Sequence, residues 1–154
     1  MTPRIFYRIL SIAEAVTWTL LIAGMIMKYV FHVGDWPVKV GGFAHGLVFI
    51  AYVTTAVIVG LNQRWHPMQI VGAAATAFVP YLTIPFDHRL EKRNMLDGGW
   101  RTTASDHPGD RHWIDVTLRW MLNRPVLLGV VFVVFVGGIM ATMLFIGPPG
   151  GRSA

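Results

Sequence analysis

Residues 126–146 read VLLGVVFVVFVGGIMATMLFI and carry no charge. As a helix rising about 1.5 Å per residue, the stretch is roughly 30 Å long, the thickness of a bilayer's hydrocarbon core. A helix packed on a soluble core would show a polar stripe every third or fourth residue, and this one shows none. Lipid is therefore the solvent for at least part of the chain.

The rest of the composition agrees. Hydrophobic residues make up 54% of the 154 and charged residues 14%, which predicts one compact, all-α polytopic membrane protein. No cysteine is present, which excludes a disulfide framework, a thiolate nucleophile and any cysteine-based metal or iron–sulfur site. The net charge of +5 reads as basic loops that set orientation and meet anionic headgroups. No nucleic acid is expected as a partner, because no basic stripe interleaves with aromatics.

Three further apolar segments precede the quoted one, at residues 9–33, 40–61 and 68–86; with 125–146 they predict four transmembrane helices. The links at 34–39 and 62–67 are short and hold breakers or polar residues, as connections between antiparallel helices should. From 87 to 124 the chain is polar, and DGGWRTTASDHPGD within it reads as irregular loop. Residues 110–122 return to helical periodicity. Trp113, Val116, Trp120 and Met121 share a face while Arg111, Asp115 and Arg119 lie elsewhere, so an interfacial amphipathic helix is expected. The chain thus divides into a three-span membrane core (1–93), a polar connecting segment with that helix (94–124), and a fourth transmembrane helix with a short tail (125–154). Arg4 and Arg8 precede an apolar run in the manner of a signal peptide. The run is too long for one, contains Glu14 and lacks a small-residue cleavage site, so it reads as a retained span.

Four spans put Arg4, Arg8, Arg64 and Arg152 on one side and Lys28, Lys39, Arg89, Lys92, Arg93, Arg101, Arg111, Arg119 and Arg124 on the other. The positive-inside rule then places both termini outside. If instead the third segment, broken by Pro80 and Pro85, re-enters without crossing, only Lys28, Lys39 and Arg152 stand opposite all the rest. That partition is more lopsided. Four spans are still the expectation, since about 19 residues can cross and irregular backbone at depth must be shielded from lipid. The orientation stays open between the two.

Glu14 is the ionisable residue inside the first span. At depth it costs a few kcal/mol on insertion scales. The structural reading is a carboxyl near the interface, either simply protonated or paired, with Arg64 at the same membrane face of an antiparallel hairpin as the candidate partner; the functional reading is a proton or cation relay. Lys28 and His45 lie near the opposite ends of the same two helices, and a crossing third span would bring Asp87 to them. Lys28, His45 and Asp87 then form a candidate interfacial cluster, a headgroup, anion or proton-handling site. The bland alternative has Lys28 snorkelling and His45 hydrogen-bonding between helices. Small residues at four-residue spacing, Ala56 and Gly60, Ala73 and Ala77, and Gly137 and Ala141, together with Gly138, are candidate helix-packing positions. His32, His45 and His88 could share a face, but nothing fixes a haem-ligating pair. There is no zinc motif, P-loop, dinucleotide fingerprint or nucleophile elbow. No cofactor, metal or catalytic residue is nominated, and no enzyme is expected.

Span one reads RILSIAEAVTWTLLIAGMIMKY, span two opens GGFAHGLVFIAY, and span three ends IPFDHR. This pattern resembles the YdzA-like family, small bacterial integral membrane proteins of unknown function with a His-Gly motif in the second span. The matching positions are Arg8, Glu14, Ala15, Gly24, Lys28, Tyr29, His45, Gly46, Tyr52, Phe86 and Asp87, over about residues 5–93. The resemblance implies a three-span core and no assigned activity. Phe43 departs from it, standing where the family pattern has proline, and residues 94–154 fall outside it.

The sequence therefore leads to a non-catalytic accessory or assembly subunit of the bacterial cytoplasmic (inner) membrane. Lipid is the expected partner, with other membrane subunits or further copies of the chain. The rival class is a small proton- or ion-coupled transporter using Glu14 and the Lys28, His45 and Asp87 cluster.

Overall fold

The computed structural model describes residues 1–147. Arg152 and the tail beyond residue 147, both used in the reading above, lie outside the described residues. Among the described residues every regular element is helical, and three helices are long and apolar enough to cross a membrane.

Helix α1 (Pro3–Tyr29) starts where Thr2 accepts the Ile5 amide at 3.3 Å, with Pro3 in the first turn. It ends before a loop in which His32 and Gly34 take positive φ, 54° and 103°. Helix α2 (Trp36–Asn62) runs back antiparallel. The two backbones meet at glycines: a Cβ on Gly24 would lie 2.7 Å from the Pro37 carbonyl oxygen, and one on Gly41 2.8 Å from that of Leu20. Small residues let helices approach where lipid offers no hydrophobic drive to associate.

The third apolar segment breaks in two, α3 (Pro67–Thr76) and α4 (Thr83–Lys92). His66 caps α3, accepting the Met68 amide while its own amide donates to Gln69. The turn after it holds Pro80, which cannot continue the ladder, and Tyr81 at φ 64°. At the apex Trp18 Nε1 donates to the Ala77 carbonyl (3.2 Å) and Thr19 meets the Tyr81 hydroxyl (3.3 Å), both near the middle of α1. On the return, Thr83 donates to the Ser11 carbonyl, and Arg8 binds Asp87 and Glu91. The chain goes half-way along α1 and comes back.

The four-span expectation is not confirmed, since three helices are long and apolar enough to cross. Ten residues of helix make about 15 Å, half a hydrocarbon core, and the backbone freed at the turn is shielded by α1 and its indole. With the hairpin returning, Arg4, Arg8, Arg64, Arg89, Lys92, Arg93, Arg101, Arg111, Arg119 and Arg124 gather at one end of the bundle, with Lys28 and Lys39 at the other.

A 3₁₀ turn (Pro108–Arg111) leads to α5 (Trp113–Leu122). This amphipathic helix turns its charged side inward: Asp115 and Arg119 face the protein, while Trp113, Val116 and Trp120 are exposed. Helix α6 (Pro125–Ile146) follows, and contacts the rest through Val136 and Met140 on Ile50 of α2 and through its junction with α5.

The core lies between α1, α2 and the hairpin, around Tyr7, Tyr52, Ala56, Val59, Trp65, Ala73, Ala77, Leu90 and Leu96. Ala56, Gly60, Ala73 and Ala77 are all buried, with Gly60 under Ile70 and Trp65. Gly137, Gly138 and Ala141 are exposed, and a Cβ on either glycine would meet nothing within 4 Å.

Candidate functional site

The inner face of α1 is polar. Tyr7, Ser11, Glu14 and Thr17 are buried on one stripe at spacings of four, three and three, the period that aligns side chains along a helix. In an otherwise apolar span a polar group without a partner is costly; Tyr7 and Thr17 find partners, while the Ser11 hydroxyl and the Glu14 carboxyl do not.

At the basic end, the Tyr7 hydroxyl bonds that of Tyr52 (2.7 Å), which bonds Thr76 (3.0 Å), whose proton goes to the Ala73 carbonyl (2.6 Å). The direction of that last bond makes Thr76 an acceptor for Tyr52 and Tyr52 an acceptor for Tyr7, so the row is ordered. Arg8 closes it, its Nε 3.0 Å from Asp87 Oδ2 and its Nη2 on Glu91, which Arg4 also reaches. The Arg8 hydrogen bond holds the Glu91 carboxyl below its ordinary range.

Deeper, Glu14 is fully buried and neither carboxyl oxygen has a hydrogen-bond partner. His45 Nδ1 stands 3.8 Å from Glu14 Oε1 and 3.3 Å from Thr17 Oγ1. Thr17 spends its own proton on the Glu14 backbone carbonyl at 3.0 Å. The imidazole packs on Trp18 with ring centroids 4.3 Å apart, and a Cβ on Gly46 beside it would lie 3.6 Å from Met140 Cε of α6.

The pairings read from sequence are rearranged. Arg64 does not meet Glu14; its Nη2 lies 2.6 Å from Asp110 Oδ1. Lys28 pairs with Asp35 at 3.0 Å, its ammonium also over the Tyr29 ring, and the hydrogen bond from Lys28 holds the Asp35 carboxyl low. Asp87 is at Arg8, twenty residues and about 30 Å from Lys28 along α1. The cluster of Lys28, His45 and Asp87 therefore does not form. It depended on the third segment crossing.

A second centre was not anticipated at all. Arg101 donates to the Leu61 carbonyl (2.7 Å) and the Asn62 carbonyl, satisfying the C-terminus of α2, and also to Asp110 and Asp115. The Asp110 carboxylate receives the Ser105 amide (2.7 Å), the Ser105 hydroxyl and Arg64, with Arg119 Nη1 ion-paired at 3.4 Å and Arg119 Nη2 donating to the Asp110 backbone carbonyl. The Ser105 bonds first, and then Arg64, hold its carboxyl well below the usual carboxylate range. This knot fastens the 97–110 loop and α5 to the core. Among the described residues no group of three His, Cys, Asp or Glu could hold a metal ion. Tyr7, Ser11 and Thr17 were not singled out from the sequence, although their helix spacing was a signal that could have found them; the knot had no local signal, since its members come from four separate stretches.

Residues 5–92 match the family model described as a domain of unknown function, DUF3817. That span is more than half of the chain, and the chain belongs to this family. The narrower YdzA-like designation is not what matches. The chain is also 35% identical over 79 residues to a membrane protein of Streptomyces coelicolor, across 51% of this chain and 9% of that protein. The chain thus spans only a small part of the relative's length. No solved structure matches the chain. The family, the relative and the apolar helices make this a membrane protein with transmembrane helices.

Proposed function

We propose, with membership of a membrane family without assigned activity as the premise, that the chain is a non-catalytic accessory or assembly subunit. It sits in the bacterial cytoplasmic membrane as a multi-pass protein crossing with α1, α2 and α6. The ten Lys and Arg of the basic end face the cytoplasm, as the positive-inside rule prefers. Its expected partners are lipid and other membrane subunits or further copies of itself.

One observation carries this reading: the matched segment makes up 9% of a much larger membrane protein, a share that suits one part of a larger assembly. The bare outer face of α6, with Gly137 and Gly138 open to close approach, is compatible with docking. The rival reading, a transporter built on Glu14 and a cluster of Lys28, His45 and Asp87, loses support because those three groups are apart.

The test is native mass spectrometry of the tagged protein extracted in mild detergent from its own membranes. A stoichiometric heteromer, released by Gly137→Leu while the variant stays folded, is the expected result. A monomer or homo-oligomer carrying only lipid overturns the subunit reading.

A further inference from the structure

We propose that Glu14 and His45 form a one-proton binding site buried at mid-membrane depth, with the proton held on the Glu14 carboxyl beside a neutral imidazole. The inference does not depend on the subunit reading.

The argument begins with what surrounds Glu14. It lies two residues from the midpoint of α1 and has no solvent-exposed surface. An ionised carboxylate there has lost its water, and neither oxygen has gained a donor, so the full desolvation cost stands uncompensated. The basic side chains on its own helix are committed elsewhere: Arg4 to Glu91 and Asp97, Arg8 to Asp87 and Glu91, Lys28 to Asp35. The groups around it are Thr17 and Trp18 on α1, the Trp18 indole N–H being spent on the Ala77 carbonyl, and His45 and Tyr52 on α2. Thr76 of α3 is engaged by Tyr52, and the charge of Asp87 on α4 is taken by Arg8. His45 is the one member of this set able to carry a positive charge.

The hydrogen bonds around His45 fix its tautomer. Thr17 donates to the Glu14 carbonyl, so its oxygen can only accept from the imidazole, and Nδ1 must carry hydrogen. That N–H is used on Thr17 and stands 3.8 Å from Glu14 Oε1, beyond hydrogen-bond distance. A protonated carboxyl with a neutral imidazole and a carboxylate with an imidazolium hold the same number of protons. The second separates charge with no hydrogen bond to join it, so the first is favoured. Releasing the proton leaves a lone buried anion. A purely structural side chain of this shape is available as glutamine, without the ionisable group.

The ligand is a proton rather than a metal ion, since two side chains of this kind fall short of a metal's ligand set. The sequence supplies a clean probe: Glu14 and Glu91 are its only glutamates, and Glu91 is ion-paired with Arg4 and Arg8 and held ionised.

The experiment is infrared spectroscopy of the full chain in lipid nanodiscs, with side-chain carboxyl ¹³C-glutamate label, as a function of pH. Expected is a labelled protonated-carboxyl C=O band at about pH 7, where exposed carboxyls have ionised. It titrates as one proton at higher pH, disappears in Glu14→Gln, and shifts its midpoint in His45→Phe. The labelled wild type decides the matter even if a variant fails to fold. Only ionised glutamate across the range, or a band that survives in Glu14→Gln, overturns the proposal.

Discussion

Helices α1 and α6 are both long enough to cross a bilayer, and α6 is the more apolar. Yet only 11% of its most apolar stretch is buried, against 28% for α1 and 39% for α2. In water that order would be reversed. In lipid, apolar surface gives no reason to leave the solvent, and association rests on close packing and hydrogen bonds. α1 has both: glycine contacts with α2, and a row of polar groups that only the protein can satisfy. α6 has mostly Val and Phe facing outward, a patch on Ile50 and an edge-on contact of Phe132 with Phe6 of α1.

The largest test of this contrast replaces glycines on the two helices. In Gly41→Leu the new Cβ would sit 2.8 Å from the Leu20 carbonyl oxygen and 3.0 Å from Leu21 Cα. Backbone cannot yield as a side chain does, so a loss of about 3 kcal/mol or more is expected. Gly137→Leu, in open space, should leave the melting temperature unchanged. Thermal unfolding followed by circular dichroism in detergent decides it, and equal losses in both variants would break the comparison.

Next comes the polar row. Tyr52→Phe strips the hydroxyl that joins Tyr7 to Thr76 and should cost about 1–3 kcal/mol, because the buried Tyr7 hydroxyl loses its acceptor. Thr142→Val on α6 removes a hydroxyl bonded only to its own helix, at the Gly138 carbonyl, and should change nothing measurable in the same melts.

A third test is acid. The folded-state value of Asp110 is depressed, so its contribution to stability is fully present above the unfolded carboxylate value of about 3.9 and is lost as pH falls below it. The melting temperature of the wild type should drop below about pH 4, and that of Asp110→Asn should start lower and follow a flatter curve. The smallest effect is expected from Asp35→Asn. Its partner Lys28 is at an exposed loop edge, and such pairs contribute little; a clear fall in melting temperature would show that the sparse end of the bundle is held more firmly than its contacts suggest.

Much of the fold was legible. Residues 126–146 form one uninterrupted helix, and the two 27-residue helices before it were readable from apolar length alone. The third segment was misread because composition reports the solvent around a segment and not its path. Pro80 and Pro85, with only ten residues of helix on each side of the turn, were the local signs of the reversal. The error then spread. A crossing segment would have delivered Asp87 to Lys28, and the returning one delivers it to Arg8. Glu14 was picked out from sequence as a charge at depth, but its neighbour could not be: His45 is on α2 and Arg64 just past its end, and only the packing of α2 on α1 selects between them. Arg101 and Asp110 stayed hidden in a loop of turn-forming residues, where charge is ordinary and carries no geometric information.

The half-depth hairpin also gives the protein a shape. Near the basic end its cross-section holds α1, α2, α6 and both arms of the hairpin; toward the Lys28 end it holds three helices. In the proposed crossing by α1, α2 and α6, two extra cylinders about 10 Å across would displace on the order of 150 Å² of lipid from one leaflet and not from the other. The molecule would then act as a wedge. Crowded copies would expand the leaflet on the basic side and leave the bilayer curved, with that side convex.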